Sequence, residues 1–165
     1  MDMDVKRNIE FPALPRFGLR LFLPKAMENV AYYGIGPNES YRDKRRSGWH
    51  GLFESDVNAL HEDYIRPQEN GSHFDCDFVT LAGGNRKLTA VSAVPFSFNA
   101  SHYTQEELTA KAHNYELEES GTTVLCLDYA LNGIGSNSCG PQVLDEYTFN
   151  DEAFRFTLKL IPEAI

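Results

Sequence analysis

Period-two alternation runs through much of the chain. Met1, Met3 and Val5 alternate with Asp2, Asp4 and Lys6, and Leu19, Leu21 and Leu23 share one face of a segment that stops at Pro24. Near the C-terminus Phe154, Phe156, Leu158 and Leu160 alternate with Arg155, Thr157 and Lys159. Successive side chains of a strand point to opposite faces, so these runs predict half-buried strands, the last most clearly. Weaker strand signals lie at Val30–Ile35, Phe74–Leu81, Lys87–Val94 and Thr122–Leu131. Turn-forming clusters separate them: Gly36-Pro37-Asn38, Glu69-Asn70-Gly71, Gly83-Gly84-Asn85 and Asn132-Gly133.

Two stretches carry a helical pattern. Thr104 and Glu107 have the spacing of a capping box just ahead of Leu108 and Ala112, which predicts a short helix ending near Asn114. Val57, Leu60, His61, Tyr64 and Ile65 fall at i, i+3, i+4, i+7 and i+8, a helical stripe that Pro67 would stop. Many short strands, Gly/Pro turns and one or two short helices point to an all-β fold, an antiparallel β-sandwich. No internal repeat or low-complexity linker divides the chain. A strand-like segment opening at residue 1 is either an ordinary N-terminal strand or the cut end of something larger.

At 165 residues the chain suits a single domain spanning 1–165. Its net charge of −9 is uneven, +3 over residues 1–50 and −12 over the rest. An acidic chain repels phosphate backbones, which argues against general nucleic-acid binding. No apolar run approaches the ~20 residues of a spanning helix. Cys76, Cys126 and Cys139 form an odd, widely spaced set rather than a disulfide framework, and the first twenty residues lack an apolar leader stretch. The expected compartment is the reducing cytosol. The glycosylation sequons at Asn38, Asn70 and Asn99 then read as chance matches.

Individual residues supply weak chemical signals. Glycosidases set two carboxylates ~5–10 Å apart across a sugar, but an abundance of acids does not show that any two converge. His50, His61, His73, His102 and His113 are scattered, and His61-Glu62-Asp63 suits a solvated face better than a metal site. Gly34-Ile35-Gly36 lacks the rest of a phosphate-binding loop. Arg42-Asp43-Lys44-Arg45-Arg46 reads as a solvated basic loop, with an anion clamp or a contact to partner acids as the alternatives. Trp49, the only tryptophan, stands near Tyr32, Tyr33, Tyr41 and Phe53. That set suits a core or interface cluster, or the sugar platform of a free-standing carbohydrate-binding module.

Taken together, four ordered segments resemble one family. Gly34-Ile35-Gly36-Pro37-Asn38-Glu39-Ser40-Tyr41-Arg42-Asp43 is similar to the G-x-G-P-x-E-x-Y-x-D signature of β-galactosidases of glycoside hydrolase family two. Tyr64-Ile65-Arg66-Pro67-Gln68-Glu69-Asn70-Gly71 resembles that family's Y-[IV]-x-P-Q-E-N-G segment. Phe96-Ser97-Phe98-Asn99, with Tyr103, Leu108, Ala112 and His113, resembles its third segment in the order F-S…Y…L…A…H, with shifted spacing. Leu131-Asn132-Gly133-Ile134-Gly135-Ser136-Asn137-Ser138-Cys139-Gly140-Pro141 corresponds to its G-[IV]-G-x-[DN]-S-W-G stretch.

The resemblance implies the last part of a large antiparallel sandwich, the C-terminal domain or small chain, truncated on its N-terminal side. It implies participation in retaining hydrolysis of lactose and other β-galactosides. The two catalytic glutamates would lie in a barrel domain absent here, so no catalytic residue is assigned and the chain alone is expected to be inactive. The family's Mg and Na ions would likewise be held mostly by the missing domains. The expected partner is a large catalytic chain or the upstream domains, with β-galactoside bound only in the holoenzyme and a homodimer of the fragment through exposed strand edges. The substrate-binding residues implied are Asn137 and Cys139. Cys139 stands where the family has its sugar-facing tryptophan, so it either offers a small, soft thiol contact or is a buried structural residue.

Overall fold

The computed structural model describes residues 1–135 and 142–165. Its described residues form eight strands and one short α-helix: β1 (Asp2–Lys6), β2 (Arg16–Pro24), β3 (Asn29–Gly36), β4 (Trp49–Asp56), β5 (His73–Gly83), β6 (Arg86–Ser101), α1 (Gln105–Ala110), β7 (Thr122–Leu131) and β8 (Ala153–Ala164). The alternating runs become β1, β2 and β8, and the weaker signals become β3, β5 and β6 in longer form and β7 at the expected bounds. β4 is an addition, carrying an alternation of its own under a cluster of aromatic residues.

All pairings are antiparallel, in the order β1-β8-β6-β5-β3-β4, with β7 joining β6 to β2. β6 organises the whole. One of its edges pairs with β5, while the other pairs with β8 over Arg86–Ser92 and with β7 over Ser97–Ser101. Between those stretches Pro95 has no N–H to donate, so the sheet forks there. The two wings, β8–β1 and β7–β2, share one core: Val30, Tyr32, Val79, Leu81, Phe96, Phe98, Leu125, Leu127, Phe156 and Leu158 are all buried in it. This is the all-β antiparallel sandwich that the pattern predicts. The β5–β6 hairpin closes through Gly84 and Asn85, both at positive φ, as a two-residue turn with matched strand twist requires.

The capped helix forms, with Thr104 Oγ1 accepting from the Glu107 N–H at 3.1 Å. It stops at Ala110 rather than near Asn114. The Ala112 and His113 N–H groups donate instead to the Glu116 carboxylate at 3.0 and 2.9 Å, and Asn114 N donates to the Ile65 carbonyl. The second predicted helix, over 57–65, does not form. Asp56 Oδ1 caps a single turn by accepting from Asn58 and Ala59, after which Glu62 N donates to the Asn70 side chain at 2.9 Å rather than back along a helix. Val57 and Leu60 still reach the core from that turn, whereas Ile65 is 82% exposed.

Candidate functional site

The loops that follow β3, precede β5 and follow β7 come together, and with them the four motif segments. At their centre is Glu39, buried at 4% exposure. Its Oε1 accepts from Lys44 Nζ at 2.5 Å and from the Tyr64 hydroxyl, and its Oε2 accepts from Gly71 N at 2.9 Å and the Tyr41 hydroxyl at 3.3 Å. Burial by itself would raise this carboxyl, but the donors from Lys44, Tyr64 and Gly71 outweigh it and hold Glu39 below the ordinary glutamate value. Burial raises the Tyr64 hydroxyl, and the bond to Glu39 adds to that. Glu39 therefore stays ionised and cross-links the first motif segment to the second.

Two neighbouring groups extend the link. Ser40 donates its N–H to the Ser72 carbonyl at 2.7 Å and its hydroxyl to the Ile35 carbonyl at 3.0 Å, while accepting from Phe74 N at 2.8 Å. Asn70 accepts from Glu62 N on its side-chain oxygen, donates to the Gln68 carbonyl, and accepts on its own carbonyl from Asn99 of the third segment. Behind them His73 is buried between Tyr32 and Phe98, at ring distances of 4.5 and 5.1 Å. Its Nδ1 lies 3.3 Å from the Ile35 carbonyl and its Nε2 has no partner among the described residues. Burial pulls its pKa down to about 4, against the opposing bond to Ile35.

Asp43 joins the first segment to the fourth. Its carboxylate accepts from the consecutive N–H groups of Ile134 and Gly135, at 3.1 and 2.7 Å. Gly133 lies so close to that carboxylate that a Cβ would collide with it, and Gly135 sits at φ +56°. Asn132 Oδ1 accepts from Phe149 N at 2.5 Å, and Arg42 donates to the Thr148 carbonyl at 3.2 Å. The chain is thus anchored on both sides of residues 136–141. Asn137 and Cys139, the substrate-binding residues implied by the sequence, lie outside the described residues.

A second charged cluster covers the adjoining face of β2 and β7. Arg16 donates through Nε to Asp128 Oδ1 at 3.1 Å and through its two Nη groups to Asp128 and Glu69. Asp128 has only 2% exposure, and burial pushes its carboxyl up to about 6 despite Arg16. Arg16, for its part, is opposed by burial yet held more firmly protonated by Asp128 and Glu69. Gly18 lets β2 pass directly beneath, since a Cβ there would strike the Asp128 carboxylate and the Leu127 carbonyl. With Arg20, Gln105 and Cys126 these residues line a cavity of about 450 Å³. Sequence reasoning passed over Arg16 and Asp128. The signal available was a lone acid inside the apolar run Val124-Leu125-Cys126-Leu127-Asp128-Tyr129.

Other candidates separate in space. Trp49 is 63% exposed beside Phe53, but Tyr32 and Tyr41 are buried and Tyr33 lies on the opposite face of the sheet against His50, so the tyrosines add nothing to a Trp49 platform. Gly34 and Gly36 lie within β3, where they admit the Cys76 thiol and the Tyr32 hydroxyl; they cradle no phosphate loop. The basic loop Arg42–Ser47, with Glu146 and Tyr147, borders an open hollow of about 520 Å³. Among the described residues no group of three or more His, Cys, Asp or Glu side chains is arranged to hold a metal ion. No described helix is long and apolar enough to cross a membrane. The carboxylates at the motif junction are spent on backbone N–H groups and cations, an arrangement that fixes loops.

The β-sandwich brings the motif segments together around carboxylate anchors, and comparison with known proteins gives its family. The family model for the β-galactosidase small chain matches residues 1–160. The chain is 46% identical over 161 residues to a β-galactosidase of Actinobacillus pleuropneumoniae, covering 98% of this chain and 16% of that protein. It is 45% identical over 157 residues to one of Staphylococcus xylosus, covering 95% and 16%. It is 37% identical over 153 residues to one of Kluyveromyces lactis, covering 90% and 14%. The chain belongs to the β-galactosidase small-chain family and spans about a sixth of the length of the curated relatives it matches.

Proposed function

We propose that this chain is a non-catalytic segment of a retaining β-galactosidase, completing the substrate pocket and the assembly of a larger catalytic polypeptide. One observation carries the reading: the motif segments converge, and their carboxylates are committed to anchoring. Glu39 accepts from four donors and Asp43 from two backbone N–H groups, so neither is free to act as nucleophile or general acid. Catalysis of lactose and β-galactoside hydrolysis then falls to glutamates of the larger polypeptide, as does the holding of Mg and Na. The contribution to substrate binding is that of Asn137 and Cys139, as the family resemblance implies; in sequence they follow Ile134 and Gly135, whose N–H groups Asp43 holds. Cys76 and Cys126 are free thiols, in keeping with a reducing cytosol.

The test is hydrolysis of a chromogenic β-galactoside by the chain alone and then after addition of a matching large chain. Silence alone with activity on mixing is the expected result. Turnover by the purified chain alone would overturn the proposal, because two of its own acids would then have to form a site.

A further inference from the structure

The three strand edges left open among the described residues are not alike. β2 ends in Pro24, carries Arg16 and Arg20, and has a register shift at Phe17/Gly18. β1 is five residues long with Asp2, Asp4 and Lys6 along it. Prolines, charges, bulges and short length are the devices that keep an edge from pairing with another chain. β4 is eight residues long, has no proline, lysine or arginine, confines its acids to Glu54 and Asp56 in its second half, and pairs with β3 in unbroken register from Asn29↔Asp56 to Gly36↔Trp49. Two of its exposed side chains are large and apolar: Trp49 and Leu52 are each 63% accessible.

Leu52 also ends an apolar row. It lies opposite Tyr33, which lies opposite Phe78, which lies opposite Val91, so the four run side by side across β4, β3, β5 and β6 on the outer face of the sheet. All four are partly or largely exposed. The row breaks off at the open edge of β4.

We propose that the β4 edge pairs with the β4 edge of a second copy of this chain, antiparallel and centred on Leu52. The register is chosen by what it sets opposite what. About a two-fold axis at Leu52, Leu52 meets Leu52, His50 of each copy meets Glu54 of the other, Gly51 meets Phe53, and Trp49 meets Ser55. Cross-strand apolar pairs stabilise a ladder, and an aromatic ring covers the backbone left bare by a glycine. Centring one residue earlier places Leu52 against His50, and one residue later places it against Glu54; either loses the match. The chosen pairing also joins the two apolar rows into one that crosses both copies. It does not depend on the role proposed above.

Sedimentation velocity of the full chain across the micromolar range tests the association. Dimer is expected, with a concentration-dependent change in the emission of Trp49. Leu52→Lys sets two ammonium groups together on the axis and is expected to weaken the dimer by ~10-fold or more, ~1.4 kcal/mol. Its circular dichroism should match the parent, since Leu52 is largely exposed. Register is read separately by oxidative cross-linking in a Cys139→Ser background. Leu52→Cys should form a covalent dimer, while Glu54→Cys, opposite His50 rather than itself, should not. A monomer at every concentration, a dimer that survives Leu52→Lys, or cross-linking at position 54 as efficient as at 52 would each overturn the proposal.

Discussion

Acid should unfold this protein through His73, and the size of the effect can be worked out. The imidazole is 1% exposed, stacked between Tyr32 and Phe98, and burial holds its pKa at about 4 against an ordinary value near 6.5. A histidine whose folded pKa lies below its unfolded value takes up a proton on unfolding anywhere between the two. Its contribution is therefore fully stabilising above pH ~6.5 and is lost as the pH falls toward 4. Integrating between those values gives a loss of about 2 kcal/mol from pH 7 to pH 5 and about 3 kcal/mol by pH 4. His73→Phe isolates the effect. The ring stack is kept, and the Ile35 carbonyl still accepts from the Ser40 hydroxyl at 3.0 Å, so no acceptor is orphaned. Asp128 titrates in both proteins and cancels in the difference, while Glu39, whose charge opposes the fall in the His73 pKa, is a secondary coupling. Urea unfolding at pH 7, 6 and 5 should show the parent losing about 2 kcal/mol more than His73→Phe over that range. Parallel stability curves for the two proteins would refute the reasoning.

Other substitutions probe the remaining anchors. Arg16→Met leaves the buried Asp128 carboxylate without its cation and should cost about 3–5 kcal/mol. Because the carboxyl pKa of Asp128 is already raised, burial favours its neutral form, so denaturant titrations should find a smaller loss at pH 5 than at pH 8; equal losses would contradict the assignment. Thr104→Ala removes the cap on α1 and should cost about 1 kcal/mol, or a fall of ~2–4 °C in Tm by calorimetry, because Leu108 of that helix is buried. Asp43→Ala frees the Ile134 and Gly135 N–H groups and should cost about 1–2 kcal/mol of chain stability, while reducing the activity recovered on mixing with a large chain. Undiminished recovery would separate Asp43 from the pocket.

How much of this was legible beforehand depended on distance along the chain. β1, β2 and β8 follow from alternation within a handful of residues, and the start of α1 follows from Thr104 and Glu107, because side-chain direction and capping are local physics. The motif segments were legible too, by their order. What they build was not. The helix expected over 57–65 yields because Asn70, across a loop, takes the Glu62 N–H, and α1 ends early because Glu116 takes the N–H groups of Ala112 and His113. Neither competitor has a signal in the window where the helix is read. Arg16 and Asp128 stand 112 positions apart, and only the β2–β7 pairing, with Gly18 giving room, brings them together in a site too buried for either to remain alone. The sequence by itself determined every strand but β4, the apolar face of the alternating ones, and the family. The tertiary structure decided that four distant segments meet through Glu39, Asn70 and Asp43 and that β4 is left as an open edge among the described residues. Those outcomes depend on where the sheet forks, and that is a property of the whole topology.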